Sequence, residues 1–369
     1  MASEKSDPAK TESVGLDSAG SDRGKPDRGD SDGAGSDTGE SKGKRALVTG
    51  GSGVLGRHLA AALLSRGVTP RVFDLTPPPA GLEGVEFVKG DVSDAAALHE
   101  ACRGCSAVFH LAGRMPQARL SEAAYRRVNV EGTRNAAEGC LRHGVPALIF
   151  ASTIEIYGPQ TDFPIREDAP KLFTGIYSRN KWECEGLLQE VRQRHGLRAA
   201  MMRMPMILGP GFYHERSVLE MMRRVRRGKP LPLPGGPEIP FTAVAASDAA
   251  AAFLAAWERR EADGEAFNVA AGRGEPTRAL FARFIQAAGS NSRIIPIPRW
   301  VMTPAIRLAV RLDRPLPLVG TPAELLPFAL TGGDFDISKA GRVLGYRPRK
   351  DCLAALLETC RWLAEQGLL

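Results

Sequence analysis

The sequence predicts an α/β fold in which a doubly wound parallel sheet is followed by a smaller C-terminal lobe. Two observations predict this fold: short apolar runs alternate with helically patterned segments from residue 45 onward, and a glycine-rich turn follows the first run. Such alternation is typical of a parallel sheet with helices on both faces. We expect residues 43–204 to form the sheet domain and residues 205–369 mainly to form the smaller lobe, with segments that return to the sheet.

The strand candidates are short, apolar and separated by helical spacing. They are residues 45–49, 71–74, 85–88, 107–110 and 147–151. Between them, apolar residues at helical intervals predict helices over residues 57–66, 95–102 and 122–142. Gly67 follows the first of these helices as a C-terminal glycine would.

Composition restricts the class of protein. The chain has 369 residues, of which 43% are apolar and 25% charged, which is ordinary for a globular protein and excludes a collagen or a wholly disordered chain. It has no apolar run of the 18 or so residues that a membrane-spanning helix needs. Six cysteines in so long a chain, with no apolar signal-peptide core, favour reduced thiols and a cytoplasmic location. Cys102 and Cys105 form one C-x-x-C pair without a second, so we expect no metal site.

The first 42 residues differ from the rest of the chain. Ser, Gly and Asp dominate this stretch, which holds no aromatic residue, so we expect a disordered tail. The tail is acidic although the whole chain has a net charge of +7, so the remainder is strongly basic. A basic body attracts anionic cofactors, membrane surfaces or nucleic acid. Because no nucleic-acid motif accompanies the charge, we expect no nucleic-acid partner.

Gly50, Gly53 and Gly56 are spaced three residues apart between a predicted strand and a predicted helix. Glycine allows the tight turn, lets backbone approach a pyrophosphate, and lets the helix pack close to the strand. The pyrophosphate then lies at the helix N-terminus. Asp74, at the end of the second strand, would accept hydrogen bonds from the adenosine ribose and repel a 2′-phosphate. Leu75 follows it, where a phosphate-binding arginine often stands, so NAD is favoured over NADP.

Tyr177 and Lys181 lie four residues apart in a segment with helical spacing. Residues i and i+4 share a helix face, so the ammonium group can lower the pKa of the phenol from its usual value near 10. A phenol tuned in this way can donate and accept a proton near neutral pH. The pair by itself is common by chance, and its meaning depends on the segments around it.

Those segments resemble the extended short-chain dehydrogenase/reductase superfamily, which includes NAD-dependent epimerases and dehydratases. Six segments carry the resemblance: the glycine motif at residues 49–56, Asp91-Val92, His110-Leu111-Ala112-Gly113 with Gly113 where alanine is usual, Asn129 within residues 129–133, residues 151–158, and residues 203–210. The resemblance covers essentially all of residues 43–369 and implies a Rossmann fold and a homodimer formed through helices at residues 122–142 and 177–193.

The resemblance also implies roles for individual residues. Tyr177 would move the proton at the substrate oxygen, Lys181 would hold the nicotinamide ribose, and Thr153, four residues before Tyr157, would hydrogen-bond the reacting oxygen. Asn129 would support the site, and His110 and Tyr157 would be structural. The residues implied to bind NAD are Gly50, Gly53, Val54, Leu55, Gly56, Asp74, Asp91, Val92, Leu111, Ala112, Tyr177 and Lys181.

Three functions remain open at this point. One is an NAD-dependent oxidoreductase that interconverts a secondary alcohol and a ketone, as 3β-hydroxysteroid and sterol-carboxylate dehydrogenases do. The second is a nucleotide-sugar epimerase or dehydratase, and the third is a dinucleotide-binding sensor without turnover. Two departures weigh against the sugar branch: Met206 stands where that branch usually has asparagine, and Ile239-Pro240 where it often has an arginine for the substrate diphosphate. Residues 335–348 and 152–159 resemble the hydroxysteroid branch.

An apolar segment with interleaved arginines lies at residues 300–312. Thr303-Pro304 predicts a helix start with proline at its first position. We expect residues 299–322, which include this segment, to form a wall over the pocket of a small-molecule substrate, together with residues 115–120 and 206–216. The alternative is contact with a membrane surface, which basic amphipathic helices can make.

Overall fold

The computed structural model describes residues 43–118, 120–212, 216–233, 239–312 and 325–369. The predicted disordered tail, residues 1–42, lies outside the described residues. Within them no helix has the length and apolarity needed to cross a membrane.

The strands of the described residues are short, and most follow a glycine or a polar turn. They are β1 (Arg45–Thr49), β2 (Thr69–Asp74), β3 (Glu86–Lys89), β4 (Ala107–His110), β5 (Ala147–Thr153), β6 (Arg198–Met204), β7 (Met206–Leu208), β8 (Leu231–Leu233), β9 (Pro240–Phe241), β10 (Ala243–Ala245), β11 (Ala266–Asn268), β12 (Glu275–Pro276) and β13 (Ile294–Pro296).

The α-helices of the described residues alternate with these strands along most of the chain. They are α1 (Val54–Leu64), α2 (Ala95–Cys102), α3 (Glu122–Arg126), α4 (Gly132–His143), α5 (Ile176–His195), α6 (Arg216–Arg226), α7 (Ala246–Glu258), α8 (Thr277–Ala287), α9 (Arg299–Arg311), α10 (Phe328–Thr331), α11 (Ser338–Leu344) and α12 (Cys352–Glu365).

Seven parallel strands form the main sheet in the order β3-β2-β1-β4-β5-β6-β11. Helices α1 and α7 cover one face, where Leu59 and Phe253 join a buried cluster with Phe109. Helices α2, α4 and α5 cover the other face, where Leu98 and Leu188 pack with further strand residues. The predicted fold class, a doubly wound Rossmann sheet, is confirmed. Since the strands are parallel, their carboxyl ends meet at one edge, where ligands bind in this fold.

The C-terminal lobe has a separate apolar cluster that joins α6, α8 and α12 to β8 and β10. The chain does not stay in this lobe after residue 205. Helix α7 packs on the main sheet, and β11 pairs with β6 to become an edge strand of that sheet. The carboxylate of the buried Asp248 in α7 accepts hydrogen bonds from the backbone N–H groups of Arg349 and Lys350, which attaches the start of α12 to the sheet layer.

Two predicted helices have different boundaries. The helix expected over residues 122–142 is interrupted, because residues 127–131 form a π-helical turn between α3 and α4. Asn129 lies within this turn. Its side-chain oxygen accepts from the Arg114 N–H, and its side-chain NH₂ donates to the Arg114 carbonyl. The helix start predicted at Thr303-Pro304 is also wrong. Helix α9 starts at Arg299 after Pro298, and Pro304 lies inside it, where burial of Met302 and Ile306 on one face continues the helix across the proline.

A buried ion pair connects strand β6 to helix α5. The Arg203 guanidinium donates to both carboxylate oxygens of Glu185, at 3.0 and 2.6 Å, and both side chains are almost fully buried. Ser152, the register partner of Arg203 on β5, donates to the same carboxylate at 2.5 Å. Burial disfavours the charged guanidinium, but the hydrogen bonds and charge of Glu185 outweigh it and raise the pKa of Arg203 above its ordinary value.

The Nη1 atom of the Arg203 guanidinium extends this network toward strand β11. It donates to the hydroxyl of Tyr157 at 2.9 Å and to the Glu167 carbonyl at 2.8 Å. The Tyr157 hydroxyl donates in turn to the side chain of Asn268 on β11, at 2.7 Å. Burial raises the pKa of Tyr157 above its usual value, which keeps the phenol protonated as a donor. The ion pair therefore connects β5, β6, β11 and α5.

We expect Glu185→Ala to lower the free energy of unfolding by about 3–5 kcal/mol, because it leaves the Arg203 guanidinium buried without its counter-charge. Glu185→Gln, which keeps the shape and an acceptor oxygen, is expected to cost less than Glu185→Ala. Urea unfolding followed by circular dichroism measures both. A loss below about 1 kcal/mol for the alanine variant contradicts the assignment.

Candidate active site and cofactor cradle

The glycine turn between β1 and α1 is too tightly packed for side chains. Gly50 has a φ of +67°, and a Cβ there would lie 2.8 Å from the Ala112 nitrogen. A Cβ on Gly56 would lie 2.4 Å from the Cα of Gly51, which is how α1 approaches the turn. Gly53 caps α1, and Val54 and Leu55 open its first turn. The first N–H groups of a helix have no partner within it, so the turn presents donors to an anion.

Asp74 lies at the end of β2 beside this turn. One oxygen of its carboxylate accepts from the Ser52 N–H at 3.1 Å, and the other accepts from the Thr76 N–H at 3.2 Å. The Ser52 hydroxyl donates to the Thr76 carbonyl, which closes the loop around the carboxylate. Asp74 is therefore a fixed, partly exposed acceptor next to the glycine turn.

The other residues expected to bind the cofactor lie at the same edge of the sheet. Burial opposes ionisation of Asp91, but hydrogen bonds from the N–H and hydroxyl of Ser93 outweigh it and lower the pKa of Asp91. Val92 is buried against α4. Leu111 and Ala112 continue from the end of β4 and hydrogen-bond through their N–H groups to Thr49 at the end of β1.

These residues fit a dinucleotide. Gly50 and Gly56 have no room for a Cβ, a helix begins directly beside the turn, and an anchored carboxylate lies beside it for ribose hydroxyls. The same elements in this order bind NAD in Rossmann folds. The residues that would hold the pyrophosphate are Gly50, Gly53, Val54, Leu55 and Gly56.

Lys181 is buried where α5 crosses β5. Its ammonium group donates to the Ala151 carbonyl at 2.7 Å and lies 5.9 Å from the centre of the Tyr177 ring. It also lies 4.5 Å from the centre of the Phe150 ring. Burial lowers the pKa of Lys181 from 10.5 to about 8. The structure therefore brings Tyr177 and Lys181 to one place and attaches them to the strand that ends in Thr153.

The two hydroxyls at the end of β5 have different partners. The Ser152 hydroxyl donates its proton to Glu185, so it belongs to the buried ion-pair network. The Thr153 oxygen accepts from the Glu155 N–H at 3.2 Å. A hydroxyl that accepts one bond still has its own proton to donate. Of the two neighbours, Thr153 is the one able to donate a hydrogen bond to a substrate oxygen.

Two further features support the position of Lys181. A Cβ on Gly113 would lie 3.2 Å from the Asn129 side-chain oxygen and 3.4 Å from the Lys181 nitrogen. Glycine at position 113, where the resemblance predicts alanine, thus brings the backbone close to the ammonium group. The π-helical turn places Asn129 on the other side of this backbone, which makes Asn129 a supporting residue.

His110 is fully buried below this edge. Its two ring nitrogens bond to Thr49 and Thr133, at 2.8 and 3.2 Å. The Thr133 hydroxyl donates its proton to the Asn129 carbonyl, so His110 donates to Thr133 and accepts from Thr49. Burial, with a contribution from Lys181, lowers the pKa of His110 to about 3. A neutral imidazole with two fixed partners is a structural group.

An apolar cavity of about 220 Å³ lies in the C-terminal lobe. Its lining includes Met206, Val218, Met221, Leu231, Leu233, Ile239, Pro240, Phe241, Phe281 and Phe328. The charged lining residues Glu220 and Arg224 are 3.4 Å apart and pair with each other. Met206 lies two residues beyond Met204, which pairs in register with Thr153. One lining residue, Met206, therefore follows the strand that pairs with the Thr153 end of β5, whereas Thr153, Tyr177 and Lys181 are not among the lining residues.

The cavity lining was predicted only in part. Of the three predicted wall segments, residues 206–216 contribute Met206 to the lining. Where α9 was expected to form a wall, the described lining residues come from α10, near residue 329. Glu185 was also missed as the partner of Arg203 and Ser152. Its signal was the four-residue interval from Lys181 combined with an arginine, Arg203, inside the apolar run of β6. Among the described residues, no group of three or more His, Cys, Asp or Glu side chains could hold a metal ion.

The model of the NAD dependent epimerase/dehydratase family matches residues 46–270. The uncharacterized protein y4nG of Sinorhizobium fredii is 33% identical over 86% of this chain and 78% of its own length. Short-chain dehydrogenase/reductase family 42E member 1 of Xenopus laevis is 28% identical over 87% of this chain and 88% of its own length. The mouse decarboxylating sterol-4-alpha-carboxylate 3-dehydrogenase is 29% identical over 84% of this chain and 88% of its own length.

Solved structures share the fold. An epimerase of Methanothermobacter thermautotrophicus superposes with a TM-score of 0.73 at 24% identity, covering 89% of this chain and 94% of its own. MoeE5, solved in complex with UDP-glucuronic acid and NAD, has a TM-score of 0.70 at 21% identity and covers 87% and 99%. The family match confirms the expected cofactor, NAD.

Asp74→Ala is expected to raise the Michaelis constant for NAD and to narrow the preference for NAD over NADP, since the variant loses the ribose acceptor and the repulsion of a 2′-phosphate. Steady-state rates with each dinucleotide on a verified substrate measure the effect, with Asp162→Ala at an exposed position as the control. Wild-type protein that prefers NADP would refute this role.

The low pKa of Lys181 predicts a pH-dependent stability in the cofactor-free protein. Below about pH 8 the buried ammonium is charged at a cost; between pH 8 and 10.5 the folded state releases this proton while the unfolded state keeps it. Wild-type stability relative to Lys181→Met is therefore expected to rise over that interval. Denaturant midpoints at pH 7.5 and 10 test the sign, and an unchanged difference contradicts it.

Proposed function

We propose that this chain, which belongs to the NAD-dependent epimerase/dehydratase family, is an NAD-dependent oxidoreductase that interconverts a secondary alcohol and a ketone on a substrate with an apolar body. In this respect it would act like a 3β-hydroxysteroid dehydrogenase. The observation that carries the proposal is the apolar cavity in the C-terminal lobe, whose lining includes Met206 on the strand after β6.

The two sequence departures from the sugar branch both lie in the cavity lining. Met206 and the pair Ile239-Pro240 present apolar atoms where an amide and a guanidinium would be needed for a nucleoside diphosphate. Of the described lining residues, Arg224 is the one cation, and it is paired with Glu220. A diphosphate in this lining would lack compensating charge, whereas an apolar ring system would bury its surface against Phe241 and Phe281.

The catalytic residues suit a proton transfer coupled to redox chemistry. When bound, NAD supplies the hydride acceptor. Tyr177 takes the alcohol proton, and the nearby Lys181 ammonium favours the phenolate by charge. Thr153 donates a hydrogen bond to the reacting oxygen and fixes its position. The Ala151 carbonyl holds Lys181 in place, so the cation keeps its distance to the Tyr177 ring through the cycle.

The proposal also assigns residues 43–204 to cofactor binding and residues 205–369 mainly to substrate binding. It keeps the homodimer through α4 and α5, an assembly that light scattering would measure. The sugar branch is the competing assignment, because solved structures with the same fold bind UDP sugars.

The deciding experiment incubates the purified protein and NAD with a 3β-hydroxysteroid, cyclohexanol and UDP-glucose. Absorbance at 340 nm reports NADH, and NMR reports the sugar epimer. Steroid oxidation supports the proposal. Epimerisation of UDP-glucose without steroid oxidation overturns it, and NAD binding without turnover of any substrate assigns the chain to the sensor class. Met221→Trp, which narrows the cavity, should raise the Michaelis constant for the steroid but not for cyclohexanol; Phe87→Trp, at an exposed position of the edge strand β3, is the control.

Tyr177→Phe removes only the hydroxyl, so turnover is expected to fall by about 10²–10⁴-fold while NAD still binds. Thr153→Val should slow turnover less and leave NAD affinity intact, and Lys181→Ala should reduce both. Steady-state kinetics on a verified substrate, with NAD titration in parallel, separates the three. A Tyr177→Phe enzyme within a few-fold of wild type would rule out the mechanism.

A further inference from the structure

Helix α9 exposes two adjacent rows of side chains. By helical spacing, Val301, Leu308 and Leu312 form one row, which continues one residue past the helix end. Trp300, Arg307 and Arg311 form the neighbouring row. Trp300 is 79% exposed and Leu308 57%, although both are large apolar residues that a protein normally buries. The outer face of α9 therefore combines an aliphatic row with a row of one tryptophan and two arginines.

The opposite face of α9 is fixed to the lobe. Met302, Ile306 and Ala309 are buried in a small cluster with Leu326. Ala329 of α10 packs against this cluster and also lines the apolar cavity. The Arg299 side chain further donates to the Leu330 carbonyl of α10. Helix α10 thus lies between the cavity and α9, and the exposed rows face away from it.

The surrounding sequence carries charge of one sign. Residues 276–312 include six arginines and no aspartate or glutamate. Arg307 and Arg311 lie within the exposed face itself, and Ile295 adds a further exposed apolar side chain on β13. A protein partner would be matched by acidic groups and complementary shape. A surface that sets an aliphatic row beside two arginines and an exposed tryptophan matches the headgroup region of an anionic bilayer.

We propose that α9 is an interfacial helix that seats this protein on an anionic lipid surface. Leu308 and its row enter the acyl boundary, Trp300 lies at headgroup level, and Arg307 and Arg311 contact lipid phosphates. The helix lies in the plane of the membrane interface and does not cross the bilayer. This assignment is independent of the reaction, but it places the apolar cavity one helix away from the phase in which an apolar substrate dissolves.

The experiment is sedimentation of the full chain with vesicles of phosphatidylcholine and phosphatidylglycerol (1:1) and with pure phosphatidylcholine, at two salt concentrations. Wild-type protein is expected to bind the anionic vesicles and to lose affinity in high salt. Arg307→Gln with Arg311→Gln should weaken binding by roughly 10-fold or more, because each basic residue near the surface contributes several-fold. Trp300→Ala with Leu308→Asp should weaken it comparably.

The controls remove the same charge or an exposed leucine elsewhere. Arg142→Gln with Arg361→Gln, and separately Leu368→Asp, should stay within about twofold of wild type. Melting temperature and NADH binding confirm that each variant is folded. Absence of sedimentation with anionic vesicles, or equal binding by the α9 variants and the controls, overturns the proposal. A change in molar mass on Trp300→Ala with Leu308→Asp, without vesicle binding by wild type, would show instead that the face contacts a second copy.

Discussion

The buried ion pair between Arg203 and Glu185 is the constraint on which the site depends. Two charges removed from water are tolerated only when their hydrogen bonds are satisfied, and here Ser152, Tyr157 and the Glu167 carbonyl complete them. The network joins β5, β6, the edge strand β11 and the helix of the Tyr/Lys pair. Any displacement of one element would leave a buried charge unpaired, so the network fixes the register in which the candidate catalytic residues meet.

This constraint explains how Lys181 can be buried. Helix α5 carries Lys181 and Glu185 one turn apart, so the contact that anchors Glu185 to β6 also presses the lysine against the Ala151 carbonyl. Burial then lowers its pKa to about 8, close to the working range of proton transfer. Gly113 and the π-helical turn at Asn129 leave the space that the ammonium group needs. Stability and chemistry therefore depend on the same helix.

The C-terminal lobe keeps the family's architecture with a different surface chemistry. The cavity uses Met206 and Ile239-Pro240 where the sugar branch would supply polar groups, so the lobe favours burial of apolar area over recognition of charge. Directly behind the cavity wall, α9 turns apolar and basic groups outward. Both proposals, an apolar substrate and the seating of α9 on lipid, rest on this lobe.

The sequence by itself determined the fold class, the glycine turn, the acidic residue of β2 and the Tyr177–Lys181 pair, because each depends on local spacing or on a residue type that the backbone requires. The tertiary structure alone decided the partners. Glu185 and Arg203 are 18 residues apart and meet only because α5 packs back onto β6. The register of β5 and β6 then brings Ser152 to the same carboxylate. The π-helical turn and the start of α9 at Arg299 were not predicted, since in both cases distant packing outweighs local helix signals. The cavity likewise draws on residues from 206 to 356, which no periodicity along the chain relates.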